Sequence, residues 1–286
     1  MIIRLVVMLA VLLTGLAEAT AGGIFDQLRN DVRVNSDQDS NRRQADYDLI
    51  DNSSEATGNA DPWSSLFVSL LGPPVLYAIA APIWAPRALL GDDSESDGSF
   101  LSFPYQYGKP GSMILDTVNP AGRRIYSGTA RFEYAENFDS VSTLSGHFLL
   151  QGKNRLGLDA GFDARREDLT LFSHDRLWTG TINLVSRFAQ NEQVQMYFGV
   201  GANFLDDASG TDWGINFTYG GDWLLKAPWV MSLDLDLGRI GHATLSHVRW
   251  TIGMALKRYE VYVGFDHYRA GSVDLDQMVS GIRVWF

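Results

Sequence analysis

Asp234-Leu235-Asp236 is the closest this sequence comes to a reactive arrangement. In an extended segment residues i and i+2 share a face, so the two carboxylates project side by side. His247 lies on the next alternating stretch and Asp266 on the one after it, which brings a water-activating carboxylate–histidine pair within reach. The same stretches also carry opposite charges at matching places. A hairpin register that sets Asp236 opposite His247 sets Asp234 opposite Arg249, and similar pairings bring His147 near Asp159 and Glu260 near Arg283. On that reading Arg131, Glu133, His147, Asp159, Asp163, Asp234, Asp236, His247, Arg249, Glu260 and Arg283 neutralise one another and fill an interior.

The elements that must position these residues are strands. From residue 124 onward apolar and polar residues alternate with a period of two. Leu156, Leu158, Ala160, Phe162 and Ala164 face one way, and Arg155, Gly157, Asp159, Gly161, Asp163 and Arg165 the other. The last stretch sets Met278, Ile282, Val284 and Phe286 against Gly281, Arg283 and Trp285. The central positions of the apolar faces hold no Asp, Glu, Lys or Arg; an Arg or Lys facing lipid at mid-depth would cost about 2–4 kcal/mol. A soluble barrel would turn its apolar face inward, whereas here the charged face must point in. About ten such stretches, twelve being the alternative count, fill residues 124–286, a spacing that suits tilted crossings of about 9–11 residues. The expected fold class is all-β, a transmembrane antiparallel up-and-down barrel over residues 122–286.

Upstream the character changes three times. Residues 1–21 have the form of a signal peptide: Arg4, an apolar core over residues 5–16, and the small-residue cleavage sites Ala17-Glu18-Ala19 and Ala19-Thr20-Ala21. Residues 22–62 are rich in Asp, Asn, Ser and Arg without a sustained period, which predicts a disordered periplasmic extension. Residues 63–121 hold an apolar segment broken by Pro73, Pro74, Pro82 and Pro86, followed by a linker. They are expected either to plug the barrel or to pack under its mouth.

The formal net charge of -11 disfavours nucleic acid as a partner. The lack of cysteine excludes disulfides, thiolate sites and an acylated anchor. The mature chain has no apolar run long enough for a helical span, and lipid tolerates strands only when they close on themselves. If Phe286 marks the periplasmic end, the connections at residues 151–154, 190–192, 226–228 and 257–258 are short turns, and longer loops are expected at residues 135–140, 165–175 and 205–212. Asp206-Asp207, Asp274 and Asp276 are the acids available for a calcium ion at the outer surface, although solvated loop acids are the reading preferred for them. No cofactor or metal is expected.

The signal peptide, the alternating strands and the Phe-terminated last strand together resemble the outer-membrane β-barrel proteins of diderm bacteria, over roughly residues 124–286. That resemblance implies an outer-membrane location, contact with outer-membrane lipids, and insertion by the barrel assembly machinery with Trp285 and Phe286 as assembly signal. The acidic and histidine residues also resemble those of omptin-type surface proteases. Here, however, Asp266 and His267 are adjacent and so face opposite ways, and the family's second Asp-x-His pair is missing. Three functions remain open at this point: an envelope structural or adhesion barrel with a charge-filled lumen; a narrow or gated conduit plugged by the N-terminal segment; and an outer-membrane hydrolase using Asp234, Asp236 and His247.

Overall fold

The computed structural model describes residues 23–33, 82, 85–92, 99–115, 124–170 and 173–286. Ten strands follow one another around a closed antiparallel barrel: β3 (Tyr126–Glu136), β4 (Val141–Gly152), β5 (Leu156–Thr170), β6 (Ser173–Gln190), β7 (Val194–Asp207), β8 (Gly210–Leu224), β9 (Trp229–Ile240), β10 (Ala243–Leu256), β11 (Tyr259–Ala270) and β12 (Val273–Trp285). The last strand closes on the first, with Trp285 opposite Thr129 and Met278 opposite Glu136. No sheet edge is left open, as an apolar solvent requires.

Strand alternation makes the wall inside out relative to a soluble protein. Leu184 is 63% exposed on the exterior while the Arg283 side chain in the lumen is 2% exposed. Buried arginines beside exposed leucines are stable only if hydrocarbon bathes the outside.

The connections at the end bearing Phe286 are short. Those at the far end are short as well, spanning residues 137–140, 171–172, 208–209, 241–242 and 271–272, which corrects the expectation of longer loops there. The polar residues expected in a loop stay in the ladder, with Arg165 opposite Leu177 and Glu167 opposite Asp175. Pairing satisfies their backbone groups whatever the polarity of the side chains, so β5 and β6 rise as a tall hairpin.

The expectation of disorder over residues 22–62 is corrected for helix α1 (Ile24–Arg33). This helix sits in the far-end mouth. Phe25, Leu28 and Val32 form its buried stripe and pack against Val141, Leu177, Leu205, Ile240, Leu245 and Leu275. Burial of each side chain is worth about 1.5–3 kcal/mol. A helix of this length is marginal alone, so the rim that receives it also stabilises it.

The other N-terminal residues described lie at the Phe286 end. Residues 85–90 are helical, and β1 (Ser99–Phe100) pairs with β2 (Met113–Ile114) across the turns of residues 101–112. Arg155 binds Asp92 through two contacts of 2.7 Å, the Ser112 amide donates to the Glu192 carbonyl at 3.3 Å, and the Tyr105 hydroxyl donates to the Trp229 carbonyl. Burial, with Glu260 nearby, pushes the Tyr105 pKa up to about 12. Helix α1 and residues 99–115 therefore occupy opposite ends of the barrel and cannot both be periplasmic. Residues 1–21, expected to be a signal peptide, and residues 63–81 lie outside the described residues.

Candidate functional site in the lumen

The lumen is layered from the plugged end downward. Helix α1 enters with its N-terminus against β5, where the Ile24 and Phe25 amides donate to the Glu167 carboxylate at 2.6 and 3.0 Å. A carboxylate there meets both the unpaired first-turn amides and the positive end of the helix dipole. The approach needs Gly23, since a Cβ at that position would stand 2.7 Å from a Glu167 oxygen. Arg29 donates to Asp175 at 2.5 and 2.8 Å and to Asp207 at 2.6 Å, and Arg33 to Asp207 at 3.0 Å and Asp212 at 2.6 Å. Hydrogen bonding to Asp175, opposed by partial burial and reinforced by Asp207, raises the Arg29 pKa above its ordinary value. Arg33 is raised in the same way, chiefly by Asp207. On the opposite flank Asp31 accepts from the Ser272 amide at 2.8 Å and hydroxyl at 2.5 Å. The His242 amide donates to the Val32 carbonyl at 3.0 Å, so four hairpins of the rim hold one helix.

Beneath the plug the charges interlock. Arg249 donates to Glu133 at 2.6 Å and to Asp266 at 2.8 Å, and Tyr262 donates to the other Glu133 oxygen at 2.7 Å. The His247 ring meets Asp266 at 2.6 Å and Asp236 at 3.6 Å. Arg131 and Tyr197 donate to the two oxygens of Asp234 at 2.6 and 2.7 Å. His147 lies 2.6 Å from Asp159, which also accepts from Asn183 at 3.0 Å, and Arg165 pairs with Asp163 at 3.1 Å. Nearer the Phe286 end Arg283 contacts Asp222 at 2.9 Å and Glu260 at 3.5 Å, while the Trp285 indole donates to Glu260 at 3.0 Å. Arg187 stacks over Phe100 at 4.7 Å and closes that end.

The barrel registers Asp236 with His247, Asp234 with Arg249 and Glu260 with Arg283. All eleven residues assigned from sequence to the network face the lumen. Asp266, singled out there as a catalytic candidate, belongs to the same network. Sequence reasoning missed Arg165, Tyr197, Asp222 and Tyr262 as members. Inward parity on their strands was the available signal.

The arrangement leaves little room for chemistry. Both oxygens of Asp234 and both of Asp266 are engaged. The cavity beside them measures about 40 Å³, is lined by Arg131, His147, Asp159, Tyr197, Asp234 and His247 among others, and lies beneath α1. It can hold a few waters but neither a peptide nor an acyl chain. His267 faces the exterior, where it meets Asp276 at 2.7 Å. The calcium reading is corrected: Asp206 and Asp207 point to opposite faces of β7, Asp207 is held by the arginines of α1, and Asp274 and Asp276 sit on β12 across the barrel.

No protein-family model matches the chain, and no curated relative does. Solved structures similar to it include the outer membrane protein Ail of Yersinia pestis in a phospholipid bilayer nanodisc, at 12% identity over 56% of this chain and 99% of that one, with a TM-score of 0.30. The KdgM porin is 9% identical over 55% and 99%, TM-score 0.27. The outer membrane channel DcaP of Acinetobacter baumannii is 7% identical over 67% and 71%, TM-score 0.28. The likeness is one of class only, and what identifies this chain as a transmembrane β-barrel is its own closure, register and inside-out polarity.

Proposed function

We propose that this chain is a non-conducting outer-membrane barrel that serves the structure of the envelope, its lumen closed by its own side chains. The observation that carries the reading is the set of ion-pair clusters that fill the lumen between Asp163 and Arg283, capped by α1 at one end and by residues 99–115 at the other. Ten strands enclose little space, well below the about 16–18 that leave an aqueous channel. Export by the N-terminal signal and assembly through the Trp285-Phe286 end complete the proposal. With Phe286 on the periplasmic side, α1 lies at the cell surface.

Planar-bilayer recording tests it. The full chain should give no steady conductance, and open-channel steps would overturn the reading. A plugged conduit is the second reading, favoured by α1 being a discrete element seated in the mouth. Deleting residues 23–33 separates the two, because a conduit should then conduct while a charge-filled lumen should stay silent. A hydrolase using Asp234, Asp236 and His247 is disfavoured by the engagement of those groups and the small cavity. Turnover of outer-membrane lipids or peptides that is lost in His247→Ala would restore it.

A further inference from the structure

On the outer wall near the plugged end, Phe162, Trp178, Phe204 and Trp213 line a groove of about 360 Å³, with Asp206 and Thr211 at its upper rim. Phe162 lies 5.0 Å from Trp178 and 6.5 Å from Phe204, and Phe204 5.3 Å from Trp213, measured between ring centroids. Gly180 lets the Phe204 ring lie against the wall, since a Cβ there would stand 2.5 Å from it.

Arg176 follows Trp178 on the same face, about 7 Å further along the strand. It stands directly opposite Arg166 in the β5–β6 ladder. Like charges facing each other across a ladder destabilise it. Arg166 is tied to Asp168 at 2.8 Å, but the Arg176 guanidinium has no partner among the described residues. Other charged or titratable groups nearby are His174, opposite Asp168; Asp206, which accepts from the Thr211 hydroxyl; and, across β4 from Arg166, Glu136 and the Tyr134 that donates to it. A cation without a counterion among the described residues thus stands directly above an aromatic groove, where the apolar wall gives way to a band of charged side chains.

We propose that Arg166 and Arg176 bind the phosphate of an anionic lipid whose acyl chain lies in the groove of Phe162, Trp178, Phe204 and Trp213. Lipid is the occupant because, where an apolar wall meets a charged band, lipid supplies an anion and a chain together. The proposal rests on the lipid-facing reading of the exterior. Two interfacial arginines should favour an anionic over a zwitterionic headgroup by about tenfold.

The test reconstitutes the full chain in vesicles containing either phosphatidic acid or phosphatidylcholine with brominated chains. Quenching of Trp178 is taken as the difference from Trp178→Phe. Brominated phosphatidic acid should reach half-quenching at about one tenth the mole fraction needed with phosphatidylcholine. In Arg166→Ala/Arg176→Ala, checked for folding by its heat-dependent gel mobility, that preference should vanish while quenching by brominated phosphatidylcholine stays unchanged. Equal quenching by both lipids in the parent protein, or a preference that survives in the double variant, overturns the lipid site alone. Abolition of the preference by inorganic phosphate would mean a free-anion site and also overturns it. No quenching by either lipid overturns the lipid-facing exterior and the proposal with it.

Discussion

The plug and the middle of the lumen solve the same problem, filling a narrow barrel, by different means. At the far end α1 contributes an apolar stripe, and its arginines reach outward to carboxylates on the rim. In the middle the charges themselves are the filling, with Arg249 bridging Glu133 and Asp266 under almost complete burial. The plug is thus held by contacts that are partly hydrated and separable, whereas the middle tolerates no lone charge. A buried pair adds little net stability over an apolar filling, but breaking one partner leaves an uncompensated charge.

The sharpest way to break this comparison is Arg249→Met. It removes the cation that Glu133 and Asp266 share and should destabilise the barrel by about 3–5 kcal/mol, read as a lower urea midpoint for loss of the heat-shifted gel band. A loss no larger than that of the plug variants would erase the distinction. Next comes Arg29→Ala/Arg33→Ala, expected to cost about 1.5–3 kcal/mol and to depend on salt, because the partly exposed Arg29 and Arg33 are open to screening. Proteolysis of α1 in folded protein would report its release. The raised pKa values of Arg29 and Arg33 mean that their contribution is complete below the ordinary arginine value and is lost only at more alkaline pH. The plug should therefore resist mild base; it should loosen in acid, where Asp175 and Asp207, held below the usual carboxylate range by Arg29 and Arg33, take up protons. Glu167→Gln keeps the shape at the helix N-terminus but removes its charge, at an expected cost of about 0.3–1 kcal/mol. The smallest effect belongs to His267→Ala, which breaks an exterior pair with Asp276 that is well exposed and worth at most about 1 kcal/mol.

The two regions also differed in how far they could be read from sequence. Asp236 opposite His247 was legible because a two-residue connection between β9 and β10 fixes the register, and alternation then assigns each side chain a face. Helix α1 was not legible as a plug. Phe25, Leu28 and Val32 are three apolar residues in a polar stretch, and their partners Glu167, Asp175, Asp207 and Asp212 come from hairpins far along the chain. The spacing of the three residues, with Asp26 in the first turn and Arg33 in the last, was the only local sign of a helix. Residues 165–175 looked like loop because charge there outweighs hydrophobicity, although ladder pairing is indifferent to it.

The claim that the lumen is filled and closed can be tested by cysteine chemistry, since the chain has no native thiol to interfere. Thr181 lines the buried cavity, while Asn30 on α1 is exposed. In folded protein reconstituted in lipid, Thr181→Cys should stay unmodified by a membrane-impermeant methanethiosulfonate reagent applied from either side, while Asn30→Cys reacts readily. Modification of Thr181→Cys at a rate close to that of Asn30→Cys would contradict a closed lumen.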